Sequence, residues 1–443
     1  MKVRALPRDP GPAAWNRLLP APPPAQVQSG AQTADWLVIG AGFAGLAAVR
    51  RLTQLRPDDT IIILDATRVG DGPAGRNSGF MIDLPHDLSS SDYGGTLEAD
   101  RAQTAANRHA IAFAAEMARD FGLSQEAFAQ SGKINAAATD AGHRHNLDYA
   151  RHLTEMGEAH DLRSAAQMRA MTGTDYYQSG LFTPHSAMIQ PALFVRGVAG
   201  GLRSNRVSIY ENSPVVDLTK TFDWVAKTPN GTVTAPNVIL AVNGHLNSFG
   251  YYQNQLMHVF TYASMTKALT PQQIARLGGD PVWGVTPADP MGTTVRRISG
   301  TGGDRIVIRN RFTYDPSMTV TDRRITNVGH THDRAFAARF PMLSDVEMEY
   351  RWGGRLCVSR NNVQVIGELE PGLFSACCQN GLGTAKGTLA GVLAAELAVG
   401  HNSPQLNAAL RADGPTRLPP KPLAYLGANA FMRYQEYNAG KEL

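Results

Sequence analysis

One segment constrains this chain more than any other: Trp36-Leu37-Val38-Ile39-Gly40-Ala41-Gly42-Phe43-Ala44-Gly45. Four apolar residues running into glycine suit a buried parallel strand. The glycines match G-x-G-x-x-G, and Leu46, Val49, Leu52 and Leu55 then recur at helical spacing. Pro57-Asp58-Asp59 stops that helix, and Thr60-Ile61-Ile62-Ile63-Leu64 reads as a second buried strand ending at Asp65. The whole is a β-α-β unit of about 30 residues. Gly40 permits the tight turn, Gly42 lets the backbone approach a pyrophosphate, and Gly45 lets the helix pack closely on the strand. With Ala41, Phe43 and Ala44 they form a loop at a helix N-terminus, whose free N–H groups and partial positive charge attract phosphate. Asp65 is placed to accept hydrogen bonds from ribose hydroxyls. The segment predicts a bound dinucleotide without choosing between a flavin and a nicotinamide.

The rest of the chain bounds the setting. At 443 residues it is too long for one core, so two domains are expected. A charged fraction of 18% argues against disorder, and the +4 net charge comes with no Lys/Arg block. Neither a nucleic acid nor a membrane surface is an expected partner, although arginines gathered at one site could hold a small anion. Cys357, Cys377 and Cys378 form neither a disulfide framework nor a zinc site, which points to a reducing, cytoplasmic setting. No signal peptide or membrane anchor is expected, and no apolar run of about 18 residues occurs. His143, His145, His330 and His332 read as surface residues, and no metal site is expected.

Residues 1–33 read as an irregular lead-in, with Ala21-Pro22-Pro23-Pro24 extended. Residues 97–130 and 143–171 carry helical spacing, and Pro191 opens a helix over 192–202. Strands are expected at 207–210, 215–218 and 238–241, with a hairpin at Pro229-Asn230-Gly231. Alternating segments between 257 and 318 suggest an antiparallel sheet, and 373–376 and 384–399 return to strand and helix. The predicted class is α/β, α+β overall. A Rossmann-type nucleotide domain (34–95, 185–250, 350–400) interleaves with an antiparallel-sheet substrate domain (96–184, 251–349), and 401–443 follows as a tail.

Residues 66–79 narrow the cofactor. Ala66-Thr67-Arg68-Val69-Gly70-Asp71-Gly72-Pro73-Ala74-Gly75-Arg76-Asn77-Ser78-Gly79 resembles the stretch after the ribose acid in D-amino-acid-oxidase-type flavoproteins. It is most similar to the γ-glutamylputrescine oxidase and sarcosine oxidase branch, with Ala74 where serine is usual. Residues 183–192, 237–244, 350–354 and 381–387 resemble later family segments, with Leu382 replacing the histidine of a G-H-G loop. The likeness runs from about residue 34 to 400. It implies FAD, and it carries cofactor contacts onto Ala66, Arg68, Gly75, Arg76, Asn77, Ser78, Gly79, Val216, Asn243, Gly354, Gly381, Gly383 and Thr384. Some relatives attach flavin through a cysteine after the W-G-G element. Cys357 stands one residue off that position, so noncovalent FAD is expected. Independently of the family, glycines followed by an Ala-rich helix offer a second helix N-terminus. It could face the flavin's electron-rich end, or be only a close-packed helix start.

The resemblance also implies oxidation of a C–N bond, with hydride passing from the α-carbon of a neutral amine to flavin N5 and the imine then hydrolysing. O2 or another acceptor takes the electrons. Arg309 and Arg311 alternate, so on a regular strand both face one way, either holding a substrate carboxylate or lying on a solvated face. Arg296 and Arg297, as neighbours, should diverge. Tyr262 sits on a segment that lines the substrate side in relatives, or packs in the core. His86 and Lys386 are further candidates, the latter one place later than a lysine of sarcosine oxidases. The leading expectation is a small anionic substrate, a secondary amine or N-substituted amino acid of iminodiacetate or N-alkylglycine type. A γ-glutamylated polyamine comes second and a primary D-amino acid third. A non-catalytic flavin-binding subunit is the rival from another class.

Overall fold

A short run of wholly apolar residues must bury both faces and pair on both edges. Trp36–Ile39 and Ile61–Leu64 do so in the computed structural model, which describes residues 1–85 and 95–443. They lie in a six-stranded sheet ordered Val207–Tyr210, Ile61–Leu64, Trp36–Ile39, Asn237–Leu240, Leu373–Cys377, Val365–Glu370. The first five run parallel and the last is antiparallel to its neighbour. Helices Phe43–Leu55 and Ala385–Ala398 pack on this sheet and on each other, so closely that a Cβ on Gly391 would stand 2.0 Å from the Ala44 carbonyl oxygen. Ala385–Ala398 is buried on nearly all sides, which is why its sequence shows little amphipathic contrast.

A four-stranded sheet, Gly30–Thr33, Gly231–Ala235, Trp224–Thr228 and Asp217–Lys220, extends the nucleotide side. The expected irregular lead-in is therefore only partly irregular. Gly30–Thr33 pairs with Gly231–Ala235, and the turn Ala14–Arg17 buries Trp15 completely. Within 143–171 two helices, Asp140–Met156 and Ala165–Thr172, flank a strand, and the helix starting at Leu97 ends at Asp120.

The third layer is an eight-stranded sheet ordered Met348–Ser359, Leu256–Thr266, Arg305–Tyr314, Thr294–Ile298, Trp283–Pro287, Lys133–Ala137, Ser179–Thr183, Asp161–Ser164. It is antiparallel except where Trp283–Pro287 meets Lys133–Ala137. One bulge matters for the site. Thr261 pairs with Phe312 and Tyr262 with Asn310, which leaves Arg311 unpaired at φ 63°. The expected tail holds two helices, Pro404–Arg411 and Lys421–Asn438, and the second docks on Arg305–Tyr314. Among the described residues no helix is long and apolar enough to cross a membrane.

Candidate active site

The cavity starts where the first parallel strand gives way to its helix. Gly40 adopts φ 106°, and a side chain there would meet the Ala241 carbonyl at 2.6 Å. A Cβ on Gly45 would lie 1.8 Å from the Gly40 carbonyl oxygen, so this glycine serves the close packing of helix on strand. Gly42 is different. Its Cβ would meet only the Ala74 methyl, at 3.5 Å, so internal packing does not demand glycine there. No side chain caps the helix that Gly42 precedes, which leaves its first-turn amides open to an anion.

From this loop a cavity of about 710 Å³ runs between the two large sheets. Its wall includes Gly40, Ala41, Gly42, Phe43 and Ala44, then Asp65, Ala66 and Arg68, then Asn77 and Ser78. The second glycine segment joins from the far end of the chain as Gly381, Gly383, Thr384 and Lys386. Asp65 Oδ2 accepts from Ala41 N at 2.8 Å and Oδ1 from Thr67 N at 2.8 Å. Burial pushes this carboxyl up, against those amides, which favour its charge. Oδ1 also accepts from Thr67 Oγ1 at 3.1 Å, while Oδ2 keeps lone-pair capacity for a hydroxyl donor. Thr384 spends its hydroxyl on the Phe80 carbonyl at 2.7 Å rather than capping the helix behind it, whose Lys386 and Gly387 amides are taken by the Leu382 and Gly383 carbonyls at 2.9 and 3.2 Å. The uncapped helix start at Phe43, an acid at a strand tip, a glycine with no packing role and a second glycine segment in the wall fit a dinucleotide stretched along this cavity. Asn243, at φ 47°, accepts from Gln379 N at 3.3 Å and lines the wall between the two loops.

Several expected cofactor residues stand behind the wall. Arg76 turns away and donates to the carbonyls of Asp71, Pro10, Gly11 and Gly353, fastening residues 9–11 to the strand Met348–Ser359. Gly75 packs on Gly70, where a Cβ would approach to 1.8 Å, and Gly354 packs on Arg76. Gly79 holds φ 79° against the Arg296 guanidinium. Arg296 also donates to the Ser78 and Ile189 carbonyls and lies over the Trp15 ring, while Arg297 points the other way to Gly278 and Asp304. Val216 is bonded through its backbone to Val3 and Lys227, and Val215 lines the cavity in its place.

The expected arginine pair is divided. Arg309 lines the cavity beside Thr294, its guanidinium carbon 4.6 Å from the Phe312 ring centre. Arg311 is the bulge residue, so alternation fails there, and it pairs at 2.6 Å with the buried Glu436 of the C-terminal helix. Tyr262 is buried among Phe260, Ile325 and Val328 on the opposite face, its hydroxyl 2.6 Å from Thr313 Oγ1. His86 lies outside the described residues. Lys386 is buried in the wall at the start of its helix. His332 is not a surface residue, since it is 1% exposed and bonded to Ser264 Oγ, and burial lowers it to about 3. Among the described residues no cluster could hold a metal ion.

Sequence reasoning missed other wall residues. Arg355, directly after the W-G-G element, lines the cavity with Asp9 nearby at 3.9 Å. Its position beside that motif was the available signal. Met291, Phe431 and Met432 also line it, and no sequence pattern marked them. Cys357 is in the wall, its thiol held well above the ordinary value by the Cys378 thiol and by burial.

A largely parallel sheet and a separate, largely antiparallel sheet, with a long cavity lined by two glycine segments between them, form the architecture of a dinucleotide-binding enzyme. The profile of the DAO family, described as FAD dependent oxidoreductase, matches residues 35–397, and the chain belongs to that family. It is an FAD-dependent oxidoreductase. It is 25% identical over 413 residues to a Rhizobium meliloti protein named "Probable oxidoreductase OrdL", covering 90% of each chain. It is 24% identical over 372 residues to the gamma-glutamylputrescine oxidoreductase of Escherichia coli, covering 82% of this chain and 83% of that one. Glycine oxidase from Geobacillus kaustophilus has a similar fold, with a TM-score of 0.69 and 19% identity over 86% of this chain and all of the other (100%). So has iminodiacetate oxidase from a Chelativorans species, with a TM-score of 0.65 and 15% identity over 83% of this chain and 96% of that one.

Proposed function

We propose that this enzyme oxidises the C–N bond of a secondary amine or N-substituted amino acid, of iminodiacetate or N-alkylglycine type, through a carboxylate held by Arg309. The observation that carries this reading is Arg309 itself, a guanidinium in the cavity wall among Phe312, Thr294, Met291 and Pro287. A carboxylate in such surroundings gains a charge-assisted, two-pronged hydrogen bond that water screens poorly. The iminodiacetate and glycine oxidases among similar folds support the same substrate chemistry. FAD, when bound, supplies the hydride acceptor. Arg309 fixes one end of the substrate and so orients its α-carbon. The apolar walls exclude water and favour the neutral amine, whose lone pair the oxidation needs. Three buried free cysteines support a reducing, cytoplasmic setting.

Anaerobic mixing of the yellow holoenzyme with candidate amines tests this reading. N-alkylglycines or iminodiacetate should bleach the flavin faster than γ-glutamylputrescine or D-alanine. Faster bleaching by γ-glutamylputrescine would favour the reading suggested by the E. coli relative. A flavin that stays oxidised with every amine would favour a binding subunit.

A further inference from the structure

The family profile ends at residue 397, so the helix Lys421–Asn438 lies outside it. Chain ends usually fray unless something ties them down. This one is tied at several points to the strand that carries Arg309. Asn429 brackets Tyr314, accepting from its N–H and donating to its carbonyl, both at 3.0 Å. Glu436, with no exposed side-chain surface, accepts from Arg311 at 2.6 Å and from Phe312 N at 3.0 Å. Past the helix, the Glu442 carboxylate accepts from Ala138 N at 2.8 Å and Thr139 N at 2.9 Å. Its carbonyl accepts from Thr293 N at 2.7 Å and Arg339 at 2.9 Å.

The helix face held in this way is graded. Ala424 and Ala428 let it sit close against Met257, Val259 and Tyr314, and Met432 packs with them on Phe312. Large side chains appear where the helix reaches the cavity, at Phe431 and Met432. Phe312 links the two chemistries, since Arg309 lies over its ring and Met432 belongs to the same packed cluster. Apolar surface therefore begins beside the cation. Phe431 is 55% exposed, an aromatic surface that a bound apolar group would cover favourably.

We propose that helix Lys421–Asn438 is the specificity wall of the site, where Phe431 and Met432 receive an apolar N-substituent of the substrate. The orientation rests on the carboxylate reading above. Glu436 is a positioning residue, acting through Arg311 and the Phe312 amide on the strand that presents Arg309. N-benzylglycine is then a better ligand than N-methylglycine.

Non-oxidisable ether analogues test the wall by binding alone. Methoxyacetate, benzyloxyacetate and benzyl methyl ether are titrated into the oxidised holoenzyme and read by perturbation of flavin absorption. Benzyloxyacetate should bind roughly tenfold or more tighter than methoxyacetate, the range expected for covering one aromatic ring. Phe431→Ala with Met432→Ala should collapse that ratio to about twofold. Phe431→Leu, which preserves an apolar packing surface, should give an intermediate ratio and serves if the double variant loses flavin. Equal affinities in the wild type, or a ratio untouched in flavin-replete variants, would overturn the wall and leave the carboxylate site standing. Benzyl methyl ether binding as tightly as benzyloxyacetate, and weakened by Phe431→Ala, would keep the wall and overturn the carboxylate reading. Silence from all three probes overturns both.

Discussion

The two ends of the cavity are built by different means. At the nucleotide end the wall is mostly backbone, made of Gly40–Gly42, the first turn of Phe43–Leu55 and the Gly381–Gly383 segment. One acid, Asp65, ties that loop to the neighbouring strand tip. At the end proposed for substrate it is mostly side chains, contributed by Arg309, Phe312, Met291, Phe431 and Met432 from three separate stretches of chain. Backbone amides at helix starts recognise phosphate in whatever protein carries them, so that end needs small residues at fixed spacing. A substrate end needs particular shapes and charges, and these can be drawn from any element the fold brings near. The first kind of site tolerates side-chain exchange but not added volume, and the second kind the reverse.

Added volume on the nucleotide side should have the largest effect. Gly45→Val would drive side-chain atoms into the Gly40 carbonyl, and we expect little or no folded, yellow protein on purification. On the substrate side, Arg309→Met should keep full flavin content yet lower kcat/KM for carboxylate amines by about 100-fold, equivalent to about 2.7 kcal/mol. Steady-state kinetics with matched neutral amines, which should lose far less, checks the assignment. Glu436→Gln removes the buried partner of Arg311 and should cost about 3 kcal/mol in urea unfolding, near the low end for a broken buried pair because Arg311 is part exposed. Gly42→Ala sharpens the contrast with Gly45. Its methyl finds room in the protein, so the apoprotein should fold with a near-normal Tm while FAD binds about tenfold more weakly by fluorescence titration.

The last effect concerns pH. Burial lowers His332 to about 3 and His258 to about 4, from an ordinary 6.5. Below pH 6.5 the unfolded chain therefore binds more protons than the folded one. Their contribution to stability is complete above 6.5 and is lost as pH falls through 4 toward 3. His332→Asn should remove about one proton, or roughly 1.4 kcal/mol per pH unit, from that slope, as read from Tm against pH.

Much of the nucleotide end was legible because its elements follow from short-range rules. The glycine spacing, the buried strand patterns and the Pro191 helix start each depend on residues a few positions apart. The Arg76–Gly79 stretch shows where this stops. It was expected along the cofactor, yet only Asn77 and Ser78 of it face the cavity, and Arg76 instead staples the N-terminal segment. Arg311 shows the same limit, since the alternation that paired it with Arg309 is undone by one bulge opposite Tyr262. Tyr262 itself had two readings, and the core position prevailed.

By itself, then, the sequence determined the dinucleotide loop and the alternation of parallel and antiparallel regions, because hydrophobic period and glycine placement are local properties, while its resemblance to D-amino-acid-oxidase-type flavoproteins implied FAD. Only the tertiary structure decided which arginine reaches the cavity and that a C-terminal helix, expected as a tail, lines that cavity through Phe431 and Met432. Those outcomes depend on a strand register and on a docking between residues 311 and 436, and no local pattern encodes a contact between positions so far apart.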